Sequence, residues 1–103
     1  MRVLLAAPLL LLAACQTKKE MLNLPWDAGS QKIYAAPFDK VCLSCEDACR
    51  ESYYMLKEKE SRPLDSNRYQ ILASQGATAG NRYVRIHIEN QSGQIAVWVV
   101  VSS

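Results

Sequence analysis

The chain has a single histidine in 103 residues, so no site built on a histidine pair can be assembled from it. It has no glycine-rich stretch with the spacing of a phosphate-cradling loop. Gly76-Ala77-Thr78-Ala79-Gly80 comes nearest and reads as a flexible connection between strands. Neither charge sign dominates: Lys+Arg is 12 and Asp+Glu is 10. That balance gives no electrostatic footprint for nucleic acid. It also argues against an acidic lipid surface as the main partner. No apolar run reaches the ~20 residues that a membrane-crossing helix needs. The longest, Val3 to Leu12, is followed by small residues and then by Gln16, Thr17, Lys18 and Lys19.

What the first fifteen residues do contain is ordered. Arg2 is followed by the apolar run, and the run by Ala13 and Ala14, the succession of a secretory signal. Leu12-Ala13-Ala14-Cys15 resembles the lipobox of bacterial lipoproteins: an aliphatic residue, two small ones, then cysteine. The resemblance implies cleavage before Cys15, diacylglycerol on its thiol and acylation of the new amino group. Two or more acyl chains hold a protein stably at a membrane, where one does so marginally. Gln16 in place of aspartate points to the outer membrane, facing the periplasm. Three segments are therefore expected: a signal at 1–14, a lipidated tether at 15–30 and one small domain at 31–103. The tether carries Met21, Leu22, Leu24 and Trp26, more apolar surface than a free linker needs; contact with the lipid interface, where Trp is favoured, or docking on the domain would cover it, and docking is the preferred expectation.

Within the domain, residues 31–36 read as a first strand. Pro37 suits the first position of a helix, and Asp39 meets the positive end of its dipole. Phe38, Val41, Cys42, Cys45, Ala48, Cys49, Tyr53 and Leu56 recur in steps of three and four, which predicts a helix to about Lys59. Glu46 and Arg50 are spaced for an ion pair. Residues 61–67 read as a loop and 68–75 as a strand. In 81–90, Val84, Ile86 and Ile88 alternate with Tyr83, Arg85, His87 and Glu89, so the second set is expected to face solvent. Asn90-Gln91-Ser92-Gly93 predicts a three-residue hairpin loop that pairs Asn90 with Gln94, Ile88 with Ala96, Ile86 with Trp98 and Val84 with Val100. That register turns Ile95, Val97, Val99 and Val101 away from the helix. The expected fold is α+β, in the order β-α-β-β-β: an antiparallel sheet with one helix packed on one face. The pattern, including Ala36-Pro37-Phe38-Asp39-Lys40-Val41, resembles small periplasmic lipoproteins of unknown function, a likeness that implies no activity.

Cys42, Cys45 and Cys49 stand as C-x2-C-x3-C on one side of the predicted helix. Thiolates at such spacing suit a soft metal or redox chemistry, and an exported protein is free to form a disulfide. Against a metal, a structural zinc site wants four ligands and only His87 could add one. The cysteines also lie on the apolar stripe, where cysteine behaves as a small hydrophobe. Buried packing thiols, one disulfide and a metal or thiol-redox site all stay open. Glu46 and Asp47 diverge around a helix and form no carboxylate pair. Ser44 has no visible base, and the five tyrosines read as sheet-margin residues. The resulting expectation is a non-enzymatic envelope lipoprotein without cofactor beyond the lipid on Cys15. It would contact another envelope protein or self-associate, with Val97, Val99 and Val101 as contact candidates. The alternative is a metal-binding or thiol-redox lipoprotein using the three cysteines.

Overall fold

A computed structural model describes residues 18–77 and 80–102. A short helix α1 (Lys18–Asn23) precedes strand β1 (Ser30–Tyr34) and the main helix α2 (Phe38–Glu51). Strands β2 (Met55–Leu56), β3 (Arg62–Asp65), β4 (Arg68–Ala77), β5 (Gly80–Gln91) and β6 (Gln94–Val101) follow. All pairings are antiparallel, in the order β1-β6-β5-β4-β2, with β3 also on β4. The class is the expected α+β, an open sheet with a helix across one face. Among the described residues no helix is long and apolar enough to cross a membrane.

The helix is shorter than its periodicity suggests. Pro37 precedes it, with φ −59° and ψ 140°, and Phe38 is the first helical residue. The far end stops eight residues before Lys59 because the chain closes a left-handed cap. Tyr53 has φ 65°, its N–H donates to Arg50 O at 3.0 Å, and Tyr54 N–H donates to Cys49 O at 2.9 Å. This is the crossed bonding of a Schellman motif, whose left-handed position glycine usually fills. A tyrosine there hid the stop signal. Tyr53 is consequently exposed rather than on the apolar stripe, and Leu56 belongs to β2. The expected loop at 61–67 contains β3 and a tight turn, in which Asn67 N–H donates to Asp65 Oδ1 at 2.8 Å. The connection expected at 76–80 is tighter too, since Ala77 pairs with Gly80.

The last hairpin corrects the predicted register. Gln91 pairs with Gln94, leaving a two-residue loop, Ser92-Gly93, with φ 55° and 93°. Two positive φ values make the turn whose twist matches that of paired strands. A one-residue slip reverses every side chain of a strand. Ile88 therefore faces Val97, Ile86 faces Val99 and Val84 faces Val101, all on the side that α2 covers. The core there joins Val41, Cys42 and Cys49 to Ile71, Ala73, Val84, Ile86, Ile88, Ile95 and Val97, with Phe38, Cys45, Tyr54, Leu56, Tyr69 and Val99 packed around it. Val97 is buried in it rather than offered to a partner, and only Val101, at 57% exposure, presents much surface. β6 is also an interior strand, with β1 outside it.

The opposite face of the sheet is covered as well. Residues 18–29 lie across it as a strap, with Met21 fully buried. The strap enters β1 through Gly29, whose φ is +95° and whose Cβ, if it had one, would overlap the Val99 carbonyl.

Candidate functional site

The face beneath the strap concentrates the buried polar groups of the described chain. Direct pairing places Arg85 between Leu72 and Val100, His87 between Gln70 and Trp98, and Glu89 between Arg68 and Ala96. Arg85 and His87, expected in solvent, are 0% and 3% exposed. Arg85 Nη1 donates to Met21 O and Leu24 O, each at 2.9 Å, and Nη2 donates to Pro25 O at 2.7 Å. These carbonyls close or follow a helix end, where oxygens lack intrahelical partners and a cation is favoured. Arg85 Nε is buried without a partner among the described residues, and burial pulls the guanidinium pKa down.

His87 continues the clasp. Its Nδ1 lies 2.9 Å from Trp26 O, the fourth strap carbonyl in the set, and its Nε2 lies 2.8 Å from Gln70 Oε1. Gln70 Nε2 donates to Glu60 O at 3.0 Å, and the Glu60 carboxylate meets Lys18 Nζ at 3.3 Å. The network thus starts and ends on the strap. Trp26 stacks on the imidazole, with centroids 3.7 Å apart and planes 16° apart. Its indole N–H donates to Glu89 Oε1 at 2.8 Å, the Arg68 guanidinium carbon lies 5.0 Å from its ring centroid, and Trp98 meets it edge-on. Burial above all, with Arg85 and Arg68 adding to it, lowers the His87 pKa to about 4, against the upward pull of the Trp26 carbonyl.

Alternation alone could not reveal this face. The available signal was the surplus apolar content of residues 21–26. In the correct register, Ala96, Trp98 and Val100 flank Arg85 and His87 and call for a cover.

The three cysteines do share one side of α2, as their spacing predicts. All are free thiols; Cys42 and Cys49 are buried and Cys45 is half-buried. Burial pushes Cys42 to about 12, with the neighbouring Cys45 and the Asp39 and Glu46 carboxylates contributing. Cys45 rises to about 11 for the same leading reason, and Cys49 rises too. No metal-holding group of His, Cys, Asp and Glu occurs among the described residues. Glu46 does not pair with Arg50. It accepts from Tyr69 Oη at 2.7 Å, which ties the helix to β4, while Arg50 turns to Asp47 at 3.3 Å. Beside the cysteines an open apolar hollow of about 300 Å³ runs between α2 and the β1–β6–β5 edge, lined in part by Tyr34, Cys45, Tyr54, Val99 and Val101. Cys15 and the lipobox lie outside the described residues.

Comparison of the chain with known protein families, with curated protein sequences and with solved structures gives no match.

Proposed function

We propose that this protein is a lipid-anchored module of the bacterial cell envelope, held by acyl chains on Cys15 and acting by contact rather than catalysis. The observation that carries the reading is the ordered run of Arg2, apolar segment and Leu12-Ala13-Ala14-Cys15. The fold supplies support of its own. Residues 18–29 are packed on the sheet, so only Gln16 and Thr17 separate the anchor from folded structure. Two such residues span about 10 Å at most between Cys15 and Lys18, which keeps the domain close to the bilayer. Tethering of this kind raises the effective concentration of the domain toward partners in the same membrane. Gln16 favours the outer membrane, facing the periplasm.

The contact surface is the hollow between α2 and the sheet, lined in part by Tyr34, Val99 and Val101, of which Tyr34 and Val101 are exposed. Its partner is another envelope protein or a second copy. The thiol-handling alternative gains no support, because reactive and metal-binding cysteines work as thiolates and burial here opposes that form.

The test is intact mass spectrometry of the full-length product from bacterial membranes. The expected species begins at Cys15, carries two or three acyl chains and is lost in Cys15→Ser. An unlipidated chain, from a host with a working lipoprotein pathway, would overturn the reading.

A further inference from the structure

We propose that β1 is a self-pairing edge: two copies of the chain join β1 to β1, antiparallel, about a twofold axis at Ile33, so that their sheets become one. The proposal rests on the reading of the protein as a contact module and names its partner, a second copy. The lipid on Cys15 takes no part in the pairing itself.

The two edges of the sheet are built differently. An edge strand presents a row of unpaired N–H and C=O groups, and proteins guard such rows with very short strands, proline or bulges. The edge beyond β4 has all three. β2 is two residues long, β3 contains Pro63, and the β3–β4 register shifts between Pro63 and Asp65. β1 has neither proline nor bulge. Its pairs with β6, from Ser30 with Val99 to Tyr34 with Ile95, run without a shift, and every residue of β1 is exposed.

The phase of the hydrogen bonds shows which groups are free. Ser102 N–H donates to Tyr83 O at 2.8 Å, and antiparallel strands alternate between bonded and non-bonded pairs. The even-numbered residues of β6 therefore bond β5, while Ile95, Val97 and Val99 bond Tyr34, Lys32 and Ser30 of β1. Gln31 and Ile33 are left with both backbone groups pointing outward. Among the described residues no strand pairs with that side of β1.

A row of this kind fits another strand, and β1 is complementary to itself. With the axis at Ile33, the two Ile33 residues face each other and exchange two backbone bonds. Each Gln31 faces the partner's Ala35, for about six bonds in all. The Ile33 side chain lies on the strap face beside Ala96 and is 47% exposed, so its symmetry mate covers it. On the helix face each Lys32 falls opposite the partner's Tyr34, an ammonium group against an exposed ring. Moving the axis to Lys32 would oppose two ammonium groups, which destabilises a strand pair. The twofold arrangement uses the same patch on both copies and closes on itself, so assembly stops at the dimer.

The test is disulfide scanning along β1 in the full-length protein in bacterial membranes, by mild oxidation and non-reducing gels with the wild-type chain as control. A disulfide needs Cα atoms within about 7 Å, so Ile33→Cys, on the axis, should bridge two chains at least about tenfold more than Gln31→Cys or Lys32→Cys. A second measurement uses Ile33→Pro. It removes the central donor, and because that N–H points outward no β1–β6 bond goes with it. Light scattering of the detergent-solubilised full-length protein should give a wild-type dimer, with a dissociation constant raised about 30-fold in Ile33→Pro for the two central bonds lost. Equal bridging at all three positions, strongest bridging at Lys32→Cys, a wild-type protein that stays monomeric at high concentration, or an Ile33→Pro dimer as tight as wild type would each overturn the proposal. Pairing in a protein that proves unlipidated would sink the anchor and leave the edge standing, whereas a lipidated monomer would sink the pairing and leave the anchor.

Discussion

Arg85→Ala tests the clasp at its centre. The side chain makes three hydrogen bonds to carbonyls of the strap and is wholly buried. Hydrogen bonds from a charged donor contribute about 1.5 kcal/mol each at the low end of their range, so the gross loss approaches 5 kcal/mol. Two effects reduce it. Arg85 Nε is buried and unpaired among the described residues, so its removal relieves a cost of about 1–2 kcal/mol. The abandoned carbonyls can also find water if the strap lifts. A net loss of about 3 kcal/mol is expected, from urea unfolding followed by far-ultraviolet circular dichroism. Arg85→Lys keeps the charge but offers a point donor instead of a fork, and should retain about half of the difference. Hydrogen exchange should show the loss concentrated in residues 18–29. A midpoint shift worth less than about 0.5 kcal/mol for Arg85→Ala would refute the claim that this residue holds the strap, and so would a loss spread evenly over the sheet.

Two other outcomes follow from local geometry. Tyr53 sits at φ 65° and 84% exposed, so Tyr53→Gly relieves left-handed strain without removing a packed side chain. It should raise stability by about 1 kcal/mol, and a drop in the unfolding midpoint would show that the ring contributes more than it costs. Cys42 and Cys49 are buried thiols with raised pKa values, so mass spectrometry after iodoacetamide at pH 8 should find them unmodified in the folded protein and alkylated in urea. Rapid alkylation of either in the native state would reopen the thiol-chemistry reading.

The architecture was legible where one signal sufficed. Strict alternation in 81–90 and the three-and-four spacing from Phe38 to Cys49 are local patterns, and β5 and α2 lie where those patterns put them. The errors came where a single unusual residue decided the outcome. Tyr53 ends the helix in a conformation that sequence readers assign to glycine. Ser92 takes a positive φ and shortens the last loop by one residue. That slip carried the larger penalty, because it assigned Val97 and Val99 to an outer surface and Trp98 to the core under α2. The cysteine stripe was correctly placed on one side of the helix, although spacing alone could not distinguish packing thiols from ligands; burial bears on that choice.

Arg85 and His87 expose the deeper limit of alternation as a guide. A polar residue every second position shows which side chains share a face, but it does not show that the face is wet. Whether water or protein covers it depends on the rest of the chain, and here the cover is a segment more than fifty residues earlier in sequence. The apolar surplus at Met21, Leu22, Leu24 and Trp26 and the aromatic Trp98 are two halves of one layer, and neither half explains itself. Since the strap presents backbone carbonyls, the sheet meets it with donors, and a guanidinium and an imidazole are suited to that task. A face of aliphatic side chains would have left those carbonyls buried without donors. Replacing Arg85 and His87 together with Met and Leu should therefore remove four side-chain contacts to the strap carbonyls, and hydrogen exchange should register the loss in residues 18–29.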